Sequence, residues 1–127
     1  MKLVETIALP NNLALKVWDK SRRIAQDTTK VELVITIDVV VQKEYFSDPE
    51  QYDMVVKTFG SSITYEYRKE RTFVDNRNRE TVFRELLEDF KRDSLPYLAR
   101  PHFPSRFARS KFRDILQHPY TYDHIRQ

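Results

Sequence analysis

The sequence contains no cysteine and a single glycine, Gly60. Without cysteine there are no disulfide bonds, thiolate zinc sites or cysteine nucleophiles. Phosphate-binding loops of the Walker and dinucleotide types need two or three glycines, which let backbone N–H groups approach the phosphate. One glycine cannot form either loop, so both classes are excluded and no cofactor is expected.

The sequence also lacks a long apolar run. Its most apolar stretch, residues 31–41, is interrupted by Glu32, Thr36 and Asp38, so it does not span a membrane. Glu5 follows the first apolar residues closely, so we expect no signal sequence. Together with the absence of cysteine, these features predict a cytoplasmic protein.

The 127 residues are 40% hydrophobic and 32% charged, which is typical of one globular domain with its own core. We therefore expect a single domain over residues 1–127, with residues 118–127 as a loosely packed tail. The net charge of +3 is unevenly placed. Residues 94–127 hold six Lys/Arg against two Asp/Glu, and they also contain all three histidines.

Strict alternation of apolar and polar side chains is strongest between residues 31 and 41. A period of two places one set of aliphatic side chains on one face of a strand. That set is Val31, Leu33, Ile35, Ile37, Val39 and Val41. We expect this face to be the centre of the core.

The remaining elements follow from shorter patterns. Strands are predicted from Leu3 to Leu9, from Leu13 to about Ile24, and from Ile63 to Phe73, where Ile63, Tyr65, Tyr67 and Phe73 share one face. Helices are predicted from Asp48-Pro49 to Gly60, from about Asn78 to Asp93, and from Pro104 to about Gln117.

The predicted order is β-β-β-α-β-α-α. It indicates an α+β fold, a two-layer sandwich in which a mainly antiparallel four-stranded sheet has helices on one face. The relative direction of the third and fourth strands stays open, because a helix connects them.

Candidates for catalysis and metal binding are few. Asp38 lies midway along the most apolar strand, and Glu66 could lie near it, which is the pattern of an acid–base pair. The alternative is that Arg68 or a cross-strand lysine neutralises Asp38. The spacing of His102, His118 and His124 fits no helical ligand pair, so no metal is expected.

The first candidate binding surface is the outer face of the sheet. If the core aliphatics face the helices, the outward side chains include an aromatic residue among valines with charged neighbours, which is typical of an interface. The outward set is Lys16, Trp18, Val34, Thr36, Asp38 and Val40. The alternative is that the C-terminal segment folds over this face.

The second candidate is a basic stripe on the last helix. At 100° per residue, Arg106, Arg109 and Arg113 lie within a 60° arc, and arginine side chains suit phosphate oxygens. The alternative is that they pair with acids of the preceding helix. Tyr65 and Tyr67 also resemble a base-stacking platform, although core packing is the expected role of both.

The sequence therefore predicts a non-enzymatic binding or assembly module that forms a homodimer or docks a protein partner through its open sheet face. The alternative function is binding of a nucleic-acid phosphate backbone through the arginine stripe. An enzyme built around Asp38 and Glu66 is the third hypothesis.

Overall fold

The computed structural model of the protein describes residues 1–121. Its strands are β1 (Lys2–Ala8), β2 (Ala14–Asp19), β3 (Arg22–Ala25), β4 (Thr28–Val40) and β5 (Ser62–Asp75). Its α-helices are α1 (Pro49–Phe59), α2 (Arg79–Asp93), α3 (Leu95–Leu98) and α4 (Phe103–Gln117). The five strands form one sheet, so the α+β fold class is confirmed.

The second predicted strand is split into β2 and β3, which lie along the same edge of β4. Between them, Lys20 still donates its N–H to the carbonyl of Glu32 at 3.0 Å. The N–H of Glu32, however, binds the side-chain oxygen of Ser21, whose own N–H binds the carboxylate of Asp19. Side chains thus replace the backbone pairing for two residues, which is why the sheet has five strands where four were predicted.

The strands β4 and β5 run antiparallel. The amine of Lys30 on β4 lies 3.0 Å from the carboxylate of Glu70 on β5. Two residues further along β4, the carboxylate of Glu32 lies 3.2 Å from the guanidinium of Arg68, which precedes Glu70 by two residues on β5. Residue numbers rise along one strand as they fall along the other. The direction that the sequence left open is therefore settled.

The chain divides into two compact units, of which the first contains Met1–Ile37 and Glu66–Arg100. In this unit α2 packs on the sheet face that carries the core aliphatics. The ring of Tyr67 lies 4.9 Å from that of Phe90, and the amine of Lys91 lies 3.0 Å from the carboxylate of Glu5. The described contacts of the helices in this unit place none of them on the opposite face.

The second unit contains Asp38–Tyr65 and the chain from Pro101 onward. Here α1 begins as predicted, with the carboxylate of Asp48 accepting the N–H of Gln51 at 3.0 Å, and it ends at Gly60, whose φ is 95°. The helix α4 packs against α1. The single domain expected from the chain length stays a prediction, and residues 122–127 of its predicted tail lie outside the described residues.

The expected core is confirmed on β4. All six aliphatic side chains of the alternating set are buried, and the first four of them lie in the first unit. Those four pack beside Leu15 and Val17 of β2 and share the core with Leu86, Leu87 and Phe90 of α2.

The predicted position of Phe73 in the core is wrong. Phe73 has a φ of +57° and is 82% exposed, whereas Ile63 on the same strand is buried. A positive φ breaks the alternation of β5, so the ring leaves the face that the pattern assigned to it. Tyr65 and Tyr67 do pack into the molecule, against Phe103 and Phe90 respectively, as expected for core residues.

None of the helices within residues 1–121 is suited to crossing a bilayer. The longest, α2 and α4, have 15 residues each. At 1.5 Å per residue they reach about 22 Å, against a hydrocarbon core of about 30 Å.

The burial pattern of β4 predicts that truncating a buried side chain lowers the free energy of unfolding more than truncating an exposed side chain of the same strand. Ile35→Ala should lower the free energy of unfolding by about 2–5 kcal/mol, because Ile35 is fully buried. Val40→Ala is the matched control: Val40 is 62% exposed, so its truncation should change stability by less than about 0.5 kcal/mol. Urea denaturation measures both, and equal shifts of the two midpoints would contradict the assigned register.

Candidate interaction surface

An apolar row crosses three strands on the sheet face that has no helix in the first unit. Leu3 of β1 lies opposite Trp18 of β2, and Trp18 lies opposite Val34 of β4. Directly opposite residues of an antiparallel pair share one face, so these three side chains are neighbours. We call Leu3, Trp18 and Val34 the apolar row. Leu3 is 46% exposed and Trp18 is partly buried.

A hydrogen bond fixes the indole of Trp18. Its Nε1–H donates to the Oγ1 of Thr36 at 2.8 Å, and Thr36 follows Val34 by two residues on the same face of β4. The indole therefore extends over β4 beside Val34. This position accounts for Val34 being only 1% exposed on a face without a helix. A side chain held in this way is already ordered before any partner arrives.

One side of the apolar row is polar and carries the positive charge of Lys16. Lys16 of β2 lies between Thr6 of β1 and Thr36 of β4. Lys16 is partly buried, so its aliphatic stem lies along the sheet while its amine stays in water.

The other side of the apolar row carries an ionic network. Glu32 lies at its centre, 3.2 Å from Arg68 and 3.9 Å from Lys30. Arg68 also binds Glu66, and Lys30 lies 3.0 Å from Glu70. We call Lys30, Glu32, Glu66, Arg68 and Glu70 the ionic network. The side chain of Glu32 is only 10% exposed, so these two cations compensate a nearly buried carboxylate.

The network stabilises the charged form of Arg68. The pKa of Arg68 is raised above its usual value, first by the hydrogen bond to Glu66 and next by the negative charge of Glu66, with a further contribution from Glu32. The guanidinium therefore stays charged, and it compensates Glu32 on a surface where no helix contributes.

The candidate pair of Asp38 and Glu66 is not an isolated pair of acids. Asp38 is exposed, and it accepts a hydrogen bond from the hydroxyl of Thr64 at 2.7 Å. The described ion pairs of Arg68 are with Glu32 and Glu66. Arg68 is thus not the partner of Asp38 that the sequence suggested, and Glu66 takes part in the ionic network.

The arginine stripe lies on α4, in the second unit. Arg106, Arg109 and Arg113 are all exposed. Arg109 reaches the backbone carbonyl of Tyr45 at 3.5 Å. Among the described residues of that unit, no carboxylate lies within 4.0 Å of any of the three guanidinium groups.

The predicted binding residues thus fall into two groups. Lys16 and Trp18 belong to the first unit, and the other four belong to the second: Asp38, Arg106, Arg109 and Arg113. The sequence pattern missed Leu3 and the ionic network. The only feature of the sequence that pointed to the network was the alternation of charged residues on β4 and β5. Their pairing could be predicted only once the register of the two strands was known.

The histidines within residues 1–121 belong to no cluster of metal-binding side chains. No group of three or more His, Asp or Glu in that range is placed to hold a metal ion. The Nε2 of His118 lies 3.9 Å from the carboxylate of Asp114. His124 lies outside the described residues.

Comparisons of the chain with protein-family models, with curated proteins and with solved structures found no match. The surface of the first unit joins an ordered aromatic side chain and an exposed leucine to a border of lysine, threonine and paired charges, a composition that is common at protein interfaces.

The ionic network predicts that two of its three acids, Glu32 and Glu66, differ in their contribution to stability. Glu32→Gln should lower the free energy of unfolding by about 1–3 kcal/mol, because it leaves Arg68 and Lys30 without their shared, nearly buried carboxylate. Glu66 is 43% exposed, so Glu66→Gln should cost less than about 1 kcal/mol. Urea denaturation of both variants tests this order, and a larger loss from Glu66→Gln would refute it.

Proposed function

We propose that this protein is a non-enzymatic assembly module that forms a symmetric dimer through the sheet face bearing the apolar row. The observation that carries the proposal is the row itself: Leu3, Trp18 and Val34 lie side by side on a face that no helix of the first unit covers. Val34 is already covered by the indole, so a second copy would remove the exposed part of Leu3 and the accessible part of Trp18 from water, at about 25 cal/mol per Å².

The size of a stable interface sets the extent of the contact. A standard interface buries about 800 Å² on each partner, which exceeds what three side chains supply. The apolar row would therefore be the centre of the contact. Lys16 with its threonine neighbours, and the ionic network, would form its rim.

The charges of this face are compatible with a second copy. In a two-fold dimer the same surface meets itself, so a strongly charged face would repel its partner. Here Lys16, Arg22, Lys30 and Arg68 stand against Glu32, Glu66 and Glu70, since Arg22 lies directly opposite Lys30 and shares its face. A face whose charges of both signs nearly balance can approach its own copy with little of that repulsion, and this favours a second copy over a partner of high charge.

A charge placed in the row should separate the dimer. Leu3→Arg should yield a monomer with unchanged secondary structure, because Leu3 is half-exposed and contributes little to the core. Sedimentation velocity measures the mass. The emission of Trp18, the only tryptophan, should shift to the red when the wild-type dimer is diluted.

The matched control is Leu116→Arg. Leu116 is an exposed leucine of α4, and the same substitution there should leave the dimer intact. A wild-type protein that is monomeric at high micromolar concentration, with tryptophan emission insensitive to dilution, would refute the proposed dimer.

A second candidate function is binding of a nucleic-acid phosphate backbone by the arginine stripe. The observation that favours it is the lack of a carboxylate near Arg106, Arg109 and Arg113 among the described residues of their unit, whereas Arg68, Arg77 and Arg92 each bind one. The stripe extends over about 10 Å of helix, at 1.5 Å per residue. Guanidinium groups in a row without an ion pair match phosphate oxygens along a strand.

Changing Arg106, Arg109 and Arg113 together to Gln tests this second function. Affinity for nucleic acid should fall, and the slope of log affinity against log salt should flatten by roughly 2–3, because up to three phosphate contacts are lost. Fluorescence anisotropy with single-stranded and duplex DNA measures both quantities. The control is the pair Arg77→Gln and Arg92→Gln, whose guanidinium groups are already ion-paired. Absence of wild-type binding at low salt would exclude this function.

A further inference from the structure

One edge of the strand β5 is left unpaired by the other strands of residues 1–121. Along its other edge β5 pairs with β4, and the sheet ends there. Six consecutive residues of the strand, from Arg68 to Phe73, are exposed. A free edge presents a row of backbone N–H and C=O groups that another strand can pair with. The sheet can therefore be extended at β5.

The regular part of β5 covers residues 62–72. The strand continues for three more residues, but Phe73 has a φ of +57°, which interrupts the extended backbone. Beyond this point, Asn76 donates its N–H to the carbonyl of Asp27 at 3.0 Å and its Nδ2–H to the carbonyl of Gln26 at 3.1 Å. These bonds hold the end of β5 on the β3–β4 turn, so the strand is ordered before any partner pairs with it.

The charges of β5 restrict which strand can pair with its edge. Its exposed part carries both signs, in Glu66, Arg68, Lys69, Glu70 and Arg71. Opposite charges that face each other directly across an antiparallel pair stabilise it, and like charges destabilise it. Charged side chains on an edge therefore exclude most partners and admit a strand with the complementary pattern.

A second copy of β5 has that complementary pattern in one register. In a two-fold antiparallel pair, one residue lies opposite its own copy, and the others pair symmetrically about it. With Tyr67 at the centre, Glu66 lies opposite Arg68 of the second copy, and Arg68 lies opposite Glu66. Tyr67 is also the midpoint of residues 62–72, so this register pairs the whole regular part of the strand.

The other registers are unfavourable. A two-fold pair centred on any of the five charged residues sets that charge directly against its own copy. A centre at Tyr65 or earlier pairs at most residues 62–68, and a centre at Thr72 or later lies at or beyond the end of the regular part. The pattern thus selects Tyr67 as the centre.

We propose that β5 pairs antiparallel with β5 of a second copy of the chain, with Tyr67 at the centre, so that the two sheets become one. Glu66 and Arg68, which already bind each other within one chain, then form a square of alternating charges with the same pair of the second copy. Because the pattern complements itself, it favours a second copy over a strand of another protein.

This edge contact is separate from the contact through the apolar row. Strand pairing extends the sheet sideways and leaves its faces free. The edge contact buries little apolar surface, so it is the weaker of the two, and a covalent trap is the suitable way to detect it. Together, the two contacts would build assemblies larger than a dimer.

Disulfide trapping tests the register, and the absence of native cysteine removes any background. Thr64 and Glu70 are exposed and lie opposite each other in the proposed pair, with Cα atoms about 4.5–5.5 Å apart. Two copies of the same residue lie six positions apart, which is about 20 Å. An equimolar mixture of Thr64→Cys and Glu70→Cys should therefore form disulfide-linked dimers about ten times faster than either variant alone, because a disulfide needs Cα atoms within about 7 Å.

Each protein in this experiment also carries Leu3→Arg, so the result does not depend on a dimer through the apolar row. Equal rates for the mixture and for the single variants would overturn the proposal. Fast trapping of Glu70→Cys alone would contradict the register, because it would place Glu70 opposite its own copy.

A charge reversal gives a second test. Glu66→Lys, added to both cysteine variants, puts a cation opposite Arg68 of the second copy and should slow trapping of the mixture to the rate of the single variants. Glu80→Lys is the matched control: it makes the same change of charge at an exposed residue of α2 and should leave the rate unchanged. Trapping that is equally fast with Glu66→Lys would contradict the pairing of Glu66 with Arg68.

Discussion

The central strand β4 is the constraint on which the rest of the structure depends. It is paired along one edge by β2 and β3 and along the other by β5, so its backbone N–H and C=O groups are used by neighbouring strands. Its alternating aliphatic side chains are buried from Val31 to Val39. A shift of one residue would expose this whole set and bury its polar neighbours, and the hydrophobic free energy therefore fixes a single register. Every cross-strand contact described above follows from that register.

The two faces of the sheet in the first unit are stabilised in different ways. On the core face, α2 supplies apolar side chains such as Phe90. On the other face the sheet covers itself: the indole of Trp18 lies beside Val34, and Arg68 with Lys30 surrounds Glu32. Hydrogen bonds and ion pairs cover Val34 and Glu32 there as a second layer does in a sandwich, but they leave Leu3 half-exposed beside the partly buried Trp18. This remaining apolar surface is the reason for proposing an assembly function for this face.

The arginine stripe and Phe73 share one property, which is that their side chains are largely exposed to water. The arginines of α4 lack carboxylates nearby among the described residues, and the ring of Phe73 lies in water. In the first unit, by contrast, Arg68, Arg77 and Arg92 are each held by an acid. Side chains with few internal partners contribute little to the stability of their own unit.

The sequence by itself determined the elements whose signals are local. The period of two on β4, the Asp48 cap of α1 and the period of α4 depend only on neighbouring residues, and each was predictable to within three residues. Tertiary structure decided what depends on distant partners. Glu32 is nearly buried because β5 places Arg68 against it, and the second predicted strand breaks because Ser21 binds the backbone of Glu32. Phe73 matches the core pattern, yet Asn76 ties the end of β5 to the β3–β4 turn, and there the chain adopts a positive φ that carries the ring out of the core.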